Sequence, residues 1–250
     1  MSSSDVLTNK SLGGLRVHKV EKRASFINIL LYGDSGVGKT FLAGSADSVP
    51  DLRPVLMIDF EGGTESLVRS FPDVEQVRVT TWKEMQAVYD ELRRGDHGYQ
   101  TVILDSLTEI QKFNMYSIME ELVADKPDRE IDVPSMREWG RNLEQMRKFV
   151  RAFRDLQMNT IFTALKVDVK NEKTGMVTTK PSLSGKLADE VAAFLDIVGY
   201  YYIKPVDGED QRLLLVKKTE TIVAKDRTAQ LPQVVQNPTM QDLFNHIHNK

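Results

Sequence analysis

The stretch Phe26-Ile27-Asn28-Ile29-Leu30-Leu31-Tyr32-Gly33-Asp34-Ser35-Gly36-Val37-Gly38-Lys39-Thr40 decides the fold of this 250-residue chain. Its first half is short, apolar and β-prone, as a strand buried on both faces of a parallel sheet requires. Its second half, Gly33 to Thr40, matches G-x-x-x-x-G-K-[ST] without a gap. Glycines let such a turn curl until successive N–H groups face one anion, and the helix behind it adds its N-terminal partial charge. Gly33, Asp34, Ser35, Gly36, Val37, Gly38, Lys39, Thr40 and Phe41 are therefore the expected nucleotide cradle. Lys39 would reach the β- and γ-phosphates, and the Thr40 hydroxyl would take one position on Mg²⁺. The implied ligands are ATP and Mg²⁺, although no base-reading motif separates ATP from GTP.

Further strands and helices alternate outward from this turn. Val55 to Asp59 and Thr101 to Asp105 are apolar runs that end in an acid, and Val77 to Val79 reads as a shorter strand. Thr81 with Glu84, Ser106 with Glu109 and Ser135 with Glu138 have the spacing of capping boxes and open three helices. Trp139, Leu143, Met146, Val150 and Phe153 step by three and four, the period of a core-facing stripe. Strands are expected over 159–165, 196–203, 212–216 and 221–224, helices over 40–46 and 186–194, and a short helix after Pro238. Alternating strands and helices specify an α/β fold whose mainly parallel sheet is sandwiched by helices. The late run of strands adds an antiparallel C-terminal extension. The expected organisation is a flexible N-terminal arm over 1–24, an ATPase core over 25–235 and a short C-terminal helix over 236–250.

Two acids carry the candidate chemistry. Asp105 closes a buried strand, where a carboxylate points into the ligand crevice and can hold a water on Mg²⁺. Thr40 and Asp105 are thus the expected metal-side pair. Asp59-Phe60-Glu61-Gly62-Gly63 closes the second strand, and alternation puts Asp59 and Glu61 on one face with Phe60 on the other. Glu61 could orient and deprotonate the water that attacks the γ-phosphate. Its alternative is to cap a helix that starts near Thr64.

Composition excludes other classes. The chain has no cysteine, so it has no disulfide framework, thiolate metal site or cysteine nucleophile. Its four histidines are scattered, and its first residues lack the layout of a signal peptide. No apolar run approaches the roughly 20 residues of a membrane span, so a soluble, cytoplasmic protein is expected. The 33 basic and 36 acidic side chains nearly cancel, but they are unevenly placed. Acids crowd residues 120–132, whereas residues 137–154 and the segment after the fourth strand are locally positive.

The strand Val55-Leu56-Met57-Ile58-Asp59-Phe60-Glu61 resembles the one in RecA-type recombinases that ends in I-D-x-E, whose Glu is their catalytic base. Val102-Ile103-Leu104-Asp105-Ser106 is similar to their Walker B strand. The chain also resembles the compact RecA-like ATPases of bacteriophages, often described as AAA-family proteins, some of which act in single-strand annealing and recombination. The resemblance spans roughly residues 25–235, with the motifs in order. It implies Mg-dependent ATP hydrolysis, assembly into a ring or filament, single-stranded DNA as partner, and allows a single-strand-binding protein as another. If phage-encoded, the protein would work in the host cytoplasm. Two departures stand out: Thr163-Ala164-Leu165-Lys166 occupies the place of a polar sensor, and no large N- or C-terminal accessory domain is evident.

By position, Lys166 to Lys180 resembles the second DNA loop of RecA-like proteins. Its spacing also allows a β-hairpin turning at Lys173-Thr174-Gly175. Lys166, Lys170, Lys173, Lys180 and Lys186 are candidate phosphate contacts there, against the alternative of an ordinary solvated hairpin. Residues 125–134 correspond to the first loop but are acidic, so contacts would come from Arg137 or Arg141. Tyr116 and Trp139 could stack on bases, but helix-spaced aromatics more often belong to the core. Lys225-Asp226-Arg227 resembles the K-x-R element of ring-forming relatives, in which both cations reach a neighbour's γ-phosphate. Rival functions are a ring helicase-like motor, a nucleotide-switched scaffold with a protein partner and little turnover, and a small-molecule kinase. Arg147, Arg151 and Arg154 make a poor kinase lid.

Overall fold

The structure is a computed structural model that describes residues 11–13, 15–16, 26–206 and 208–248. Most of the expected N-terminal arm lies outside the described residues. Within it, β1 (Ser11–Leu12) pairs antiparallel with β2 (Leu15–Arg16).

The sheet is built from β3 (Asn28–Gly33), β4 (Val55–Asp59), β5 (Glu75–Arg78), β6 (Thr101–Asp105), β7 (Asn159–Lys170), β8 (Val177–Pro181), β9 (Ile197–Val206), β10 (Glu209–Leu215), β11 (Lys225–Asp226) and β12 (Val234–Gln236). Its order is β12-β10-β9-β3-β7-β6-β4-β5, with β11 paired to β9 and β8 to β7. From β9 to β5 every neighbouring pair is parallel. β10, β11 and β12 add antiparallel pairs at the other end. This is the mainly parallel sheet with an antiparallel extension that the sequence pattern predicts. One strand, β7, lies between the P-loop strand β3 and the Asp105 strand β6.

The helices are α1 (Lys39–Gly44), α2 (Glu65–Val68), α3 (Trp82–Arg94), α4 (Leu107–Asp125), α5 (Met136–Arg154), α6 (Leu187–Phe194) and α7 (Met240–His248). Alternation along β3 shows how they divide. Leu30 and Tyr32 join the apolar cluster that includes Met85, Ile110, Phe153 and Val191 of α3 to α6. Ile29 and Leu31 join the opposite cluster, with Leu42 of α1, Leu67 of α2 and Leu243 of α7. Both faces are therefore dry, which is why the central strands read as continuous apolar runs rather than alternating ones. Among the described residues, no helix is long and apolar enough to cross a membrane.

Capping boxes open α3 at Thr81 and α5 at Ser135, as their sequences predict. Several other expectations need correction. Ser106 is the N-cap of α4 but makes no side-chain cap bond, because its side chain points to Glu61, to which it donates. The strand expected over 221–224 is a single bridge, Thr179 to Ile222, and the pairing strand is Lys225–Asp226. β7 runs past the expected end at Leu165 to Lys170, where it pairs with β8, so the polar segment is the β-hairpin that its spacing allows. Trp139 is 44% exposed and Tyr116 is 58% exposed, so neither is a core residue. The apolar residues of α5 that are buried begin at Met146, and Trp139 precedes that packed portion.

Candidate nucleotide site

The P-loop leaves β3 at Gly33 and enters α1 at Lys39. Two glycines explain why the turn fits. A Cβ on Gly33 would lie 2.0 Å from the Tyr201 carbonyl oxygen, so only glycine lets β9 approach the strand end. Gly38 holds φ at 96°, in the left-handed region that L side chains avoid. Lys39 is buried, and its Nζ donates to the main-chain carbonyls of Gly33 (3.2 Å) and Asp34 (2.7 Å). Burial pushes its ammonium below the ordinary value, while the carboxylates of Asp105, Glu61 and Asp34 act in the opposite direction. A cation held by weak neutral acceptors beside an open cleft is ready to exchange them for phosphate oxygens.

The acids meet at the same place. Thr40 Oγ1 donates to Asp105 Oδ2 at 2.6 Å, and Thr163 Oγ1 donates to the other oxygen of that carboxylate. Thr163 therefore supplies a polar group at the position where the sequence shows no long sensor side chain. Ser106 Oγ donates to Glu61 Oε1, which places the candidate base beside the Asp105 strand. The capping alternative for Glu61 does not hold, since Thr64 is the N-cap of α2 and no side chain caps that helix.

Asp59 takes a different role from Glu61. It is 1% exposed, and its two oxygens accept from the amides of Glu61 and Gly62 and from Gln76 and Arg78. One oxygen shapes the turn that presents Glu61, and the other ties that turn to β5.

Lys39, Thr40, Glu61, Asp105 and Ser106 line a cleft of about 750 Å³, large enough for a nucleotide. Its far wall is built from Tyr201, Arg212, Asn237 and Pro238. The sequence reading missed these four residues, because they lie more than 160 positions after the P-loop and form no motif.

Residues 25–228 match the family model AAA_24, described as an AAA domain. The chain belongs to the AAA_24 family. It is thus a P-loop ATPase domain. No curated protein sequence matches it. Among solved structures it is similar to a KaiC-like protein of Pyrococcus horikoshii, at 15% identity and a TM-score of 0.45, over 78% of this chain and 79% of that one. It is also similar to the flagellar accessory protein FlaH of Methanocaldococcus jannaschii, at 10% identity and a TM-score of 0.45, over 84% of each chain.

The other candidate cations of this AAA_24 chain divide by partner. Lys166 is drawn toward the P-loop, 3.4 Å from Asp34 and 3.0 Å from Asp168. Lys180 pairs with Asp189, and Arg141 pairs with Glu121. Lys170 and Lys173 stand exposed on the β7–β8 hairpin, as do Lys186 and Arg137 elsewhere. Tyr116 and Trp139 line a groove of about 400 Å³ with Met115, Met119, Ile131 and Pro134. Lys225 Nζ donates to the carbonyls of Ala192 (2.5 Å) and Leu195 (3.0 Å). Arg227 donates to Asp196 and to the Ala193 carbonyl, both at 3.0 Å. Within one chain, the K-x-R pair therefore closes the C-terminal end of α6.

Proposed function

We propose that this protein is a Mg-dependent ATPase that assembles into a ring or filament and engages single-stranded DNA, in recombination, annealing or repair of the bacteriophage type. The observation that carries the ATPase chemistry is the convergence of Lys39, the Thr40–Asp105 pair and the Ser106–Glu61 pair on one cleft. The oxygen chemistry of Thr40 and Asp105 suits Mg²⁺, which prefers hydroxyl, carboxylate and water ligands. When bound there, the ion would neutralise charge on the β- and γ-phosphates. Lys39 would leave the Gly33 and Asp34 carbonyls for the phosphate oxygens. Glu61 would hold a water in line with the γ-phosphorus and take its proton as the new P–O bond forms and the bond to the bridging β–γ oxygen breaks.

The DNA reading is supported by continuity from that cleft. β7 carries Thr163 against Asp105 and Lys166 against Asp34, then runs directly into the hairpin that exposes Lys170 and Lys173. Nucleotide-dependent movement at either contact would reach those lysines. Exposed Tyr116 and Trp139, with Arg137 nearby in sequence, offer stacking surfaces that suit single strands without base readout. Asp132 on the same groove limits how many phosphates it can hold. Binding to labelled oligo-dT should therefore weaken as salt rises, and Lys170→Glu with Lys173→Glu should flatten that dependence by about two phosphate contacts. Affinity indifferent to salt, or a double variant with an unchanged slope, would remove the DNA assignment and favour the nucleotide-switched scaffold.

Assembly is the part that would draw Arg227 from Asp196 to a neighbour's γ-phosphate. Turnover per chain should rise with protein concentration. Adding Arg227→Ala chains to wild type should then lower turnover by more than dilution does. Turnover independent of both would leave Arg227 with α6 alone.

A further inference from the structure

The Lys39, Asp105 and Glu61 end of the cleft accounts for phosphates only, and a nucleoside triphosphate extends beyond them. Its base and ribose need room beside the P-loop, and the cleft extends on the side of β3 away from β4, the strand that leads to Glu61. That side is walled by β9, β10 and the segment after β12, through Tyr201, Arg212, Asn237 and Pro238. Arg212 lies against the turn itself. Its Nε donates to the Val37 carbonyl at 3.2 Å, and a Cβ added to Gly38 would sit 3.4 Å from that nitrogen.

The backbone of Arg212 is pinned from both sides by one residue. Its N–H donates to Asn237 Oδ1 at 3.0 Å, and the Asn237 N–H donates to the Arg212 carbonyl at 2.6 Å. Asn237 holds φ at 40°, a left-handed conformation that asparagine tolerates better than most side chains. With Oδ1 committed, the Asn237 Nδ2 donors and the terminal nitrogens of Arg212 give no hydrogen bond to a described residue. A planar cation and an amide donor, both held by a 25-residue-distant backbone clasp, thus face the unused end of the cleft.

We propose that Arg212 and Asn237 form the nucleobase-and-ribose subsite of this ATPase, with the guanidinium plane stacked on a purine face and Asn237 Nδ2 donating to a base or ribose acceptor. Arginine suits this role because its delocalised plane stacks on aromatic faces and is weakly hydrated, which a lysine ammonium cannot reproduce. The proposal rests on the ATPase reading and adds the recognition that the P-loop motif does not supply.

Calorimetry with two probes, MgATP and Mg-tripolyphosphate, separates the subsite from the phosphate cradle. Arg212→Lys keeps the charge and removes the plane, while Asn237→Gly keeps the positive φ and removes the amide. Each variant, at an unchanged melting temperature, should bind ATP about five- to tenfold more weakly and tripolyphosphate within about twofold of wild type. Equal losses for both probes would mean that Arg212 only props the P-loop, and would overturn the proposal. Unchanged ATP binding in both variants would overturn it as well. A wild-type protein that binds neither probe would instead sink the ATPase reading, a result distinct from either of these.

Discussion

Two lysines of this chain each rest on a pair of main-chain carbonyls, yet their surroundings give them different work. Lys39 sits on Gly33 and Asp34, beside the carboxylates of Asp105 and Glu61, and lines the large cleft. Lys225 sits on Ala192 and Leu195 at the end of α6, beside the like charge of Arg227. Burial lowers the ammonium pKa of both from the ordinary value. For Lys225 the Arg227 charge lowers it further and Asp196 opposes the shift, whereas three acids and no neighbouring cation act on Lys39. A lysine on carbonyls is therefore no signature of a site. What distinguishes Lys39 is an open cleft on one side and metal-suited oxygens on the other.

Removing each ammonium group sharpens that contrast. Lys39→Ala should cost the most, lowering kcat/KM for ATP about 10²–10³-fold, because a charge aimed at the developing phosphate oxygens is lost. Steady-state phosphate release measures it, and a loss under tenfold would remove Lys39 from the chemistry. Lys225→Ala should act on stability instead, by about 1 kcal/mol, as expected for a cation that satisfies the last carbonyls of a helix. Denaturant melts measure that change, and kcat should stay within about twofold if α6 is its only partner. A turnover loss as large as that of Lys39→Ala would break the comparison and return Lys225 to a role across a subunit boundary.

The same contrast explains what could be read from the amino-acid order. A phosphate cradle is made by consecutive backbone amides, so Gly33 to Thr40 is contiguous and legible. Asp105 and Glu61 are legible at one remove, because strand ends in a parallel sheet converge on one crevice. Thr163 was not legible as a partner of Asp105. Their contact depends on β7 lying beside β6, and no spacing within the chain states that order. Arg212 and Asn237 were hidden for the same reason, since their contact with the P-loop depends on β9 placing β10 and β12 on that side of β3.

Where the helical pattern misled, the reason is local. The stripe on α5 has the right period throughout, but a period reports which side chains share a face and not how far the packing partner extends. Met146, Val150 and Phe153 meet the sheet cluster, whereas Trp139 stands in a groove beside α4. Ser106 misled in another way. Its spacing is that of a capping box, yet the side chain is turned toward Glu61, to which it donates, rather than toward the first amides of α4. Competition between a local cap and a distant acid is settled only by the fold.

In the proposed mechanism, Glu61 activates water while Lys39, Thr40 and Asp105 hold the nucleotide. The most direct measurement is single-turnover hydrolysis by Glu61→Gln, with ATP affinity determined on the same protein. ATP should still bind within about threefold of wild type while the hydrolysis step slows by about 10²–10⁴, the usual contribution of a positioned general base. Hydrolysis at the wild-type rate with ATP bound would contradict it.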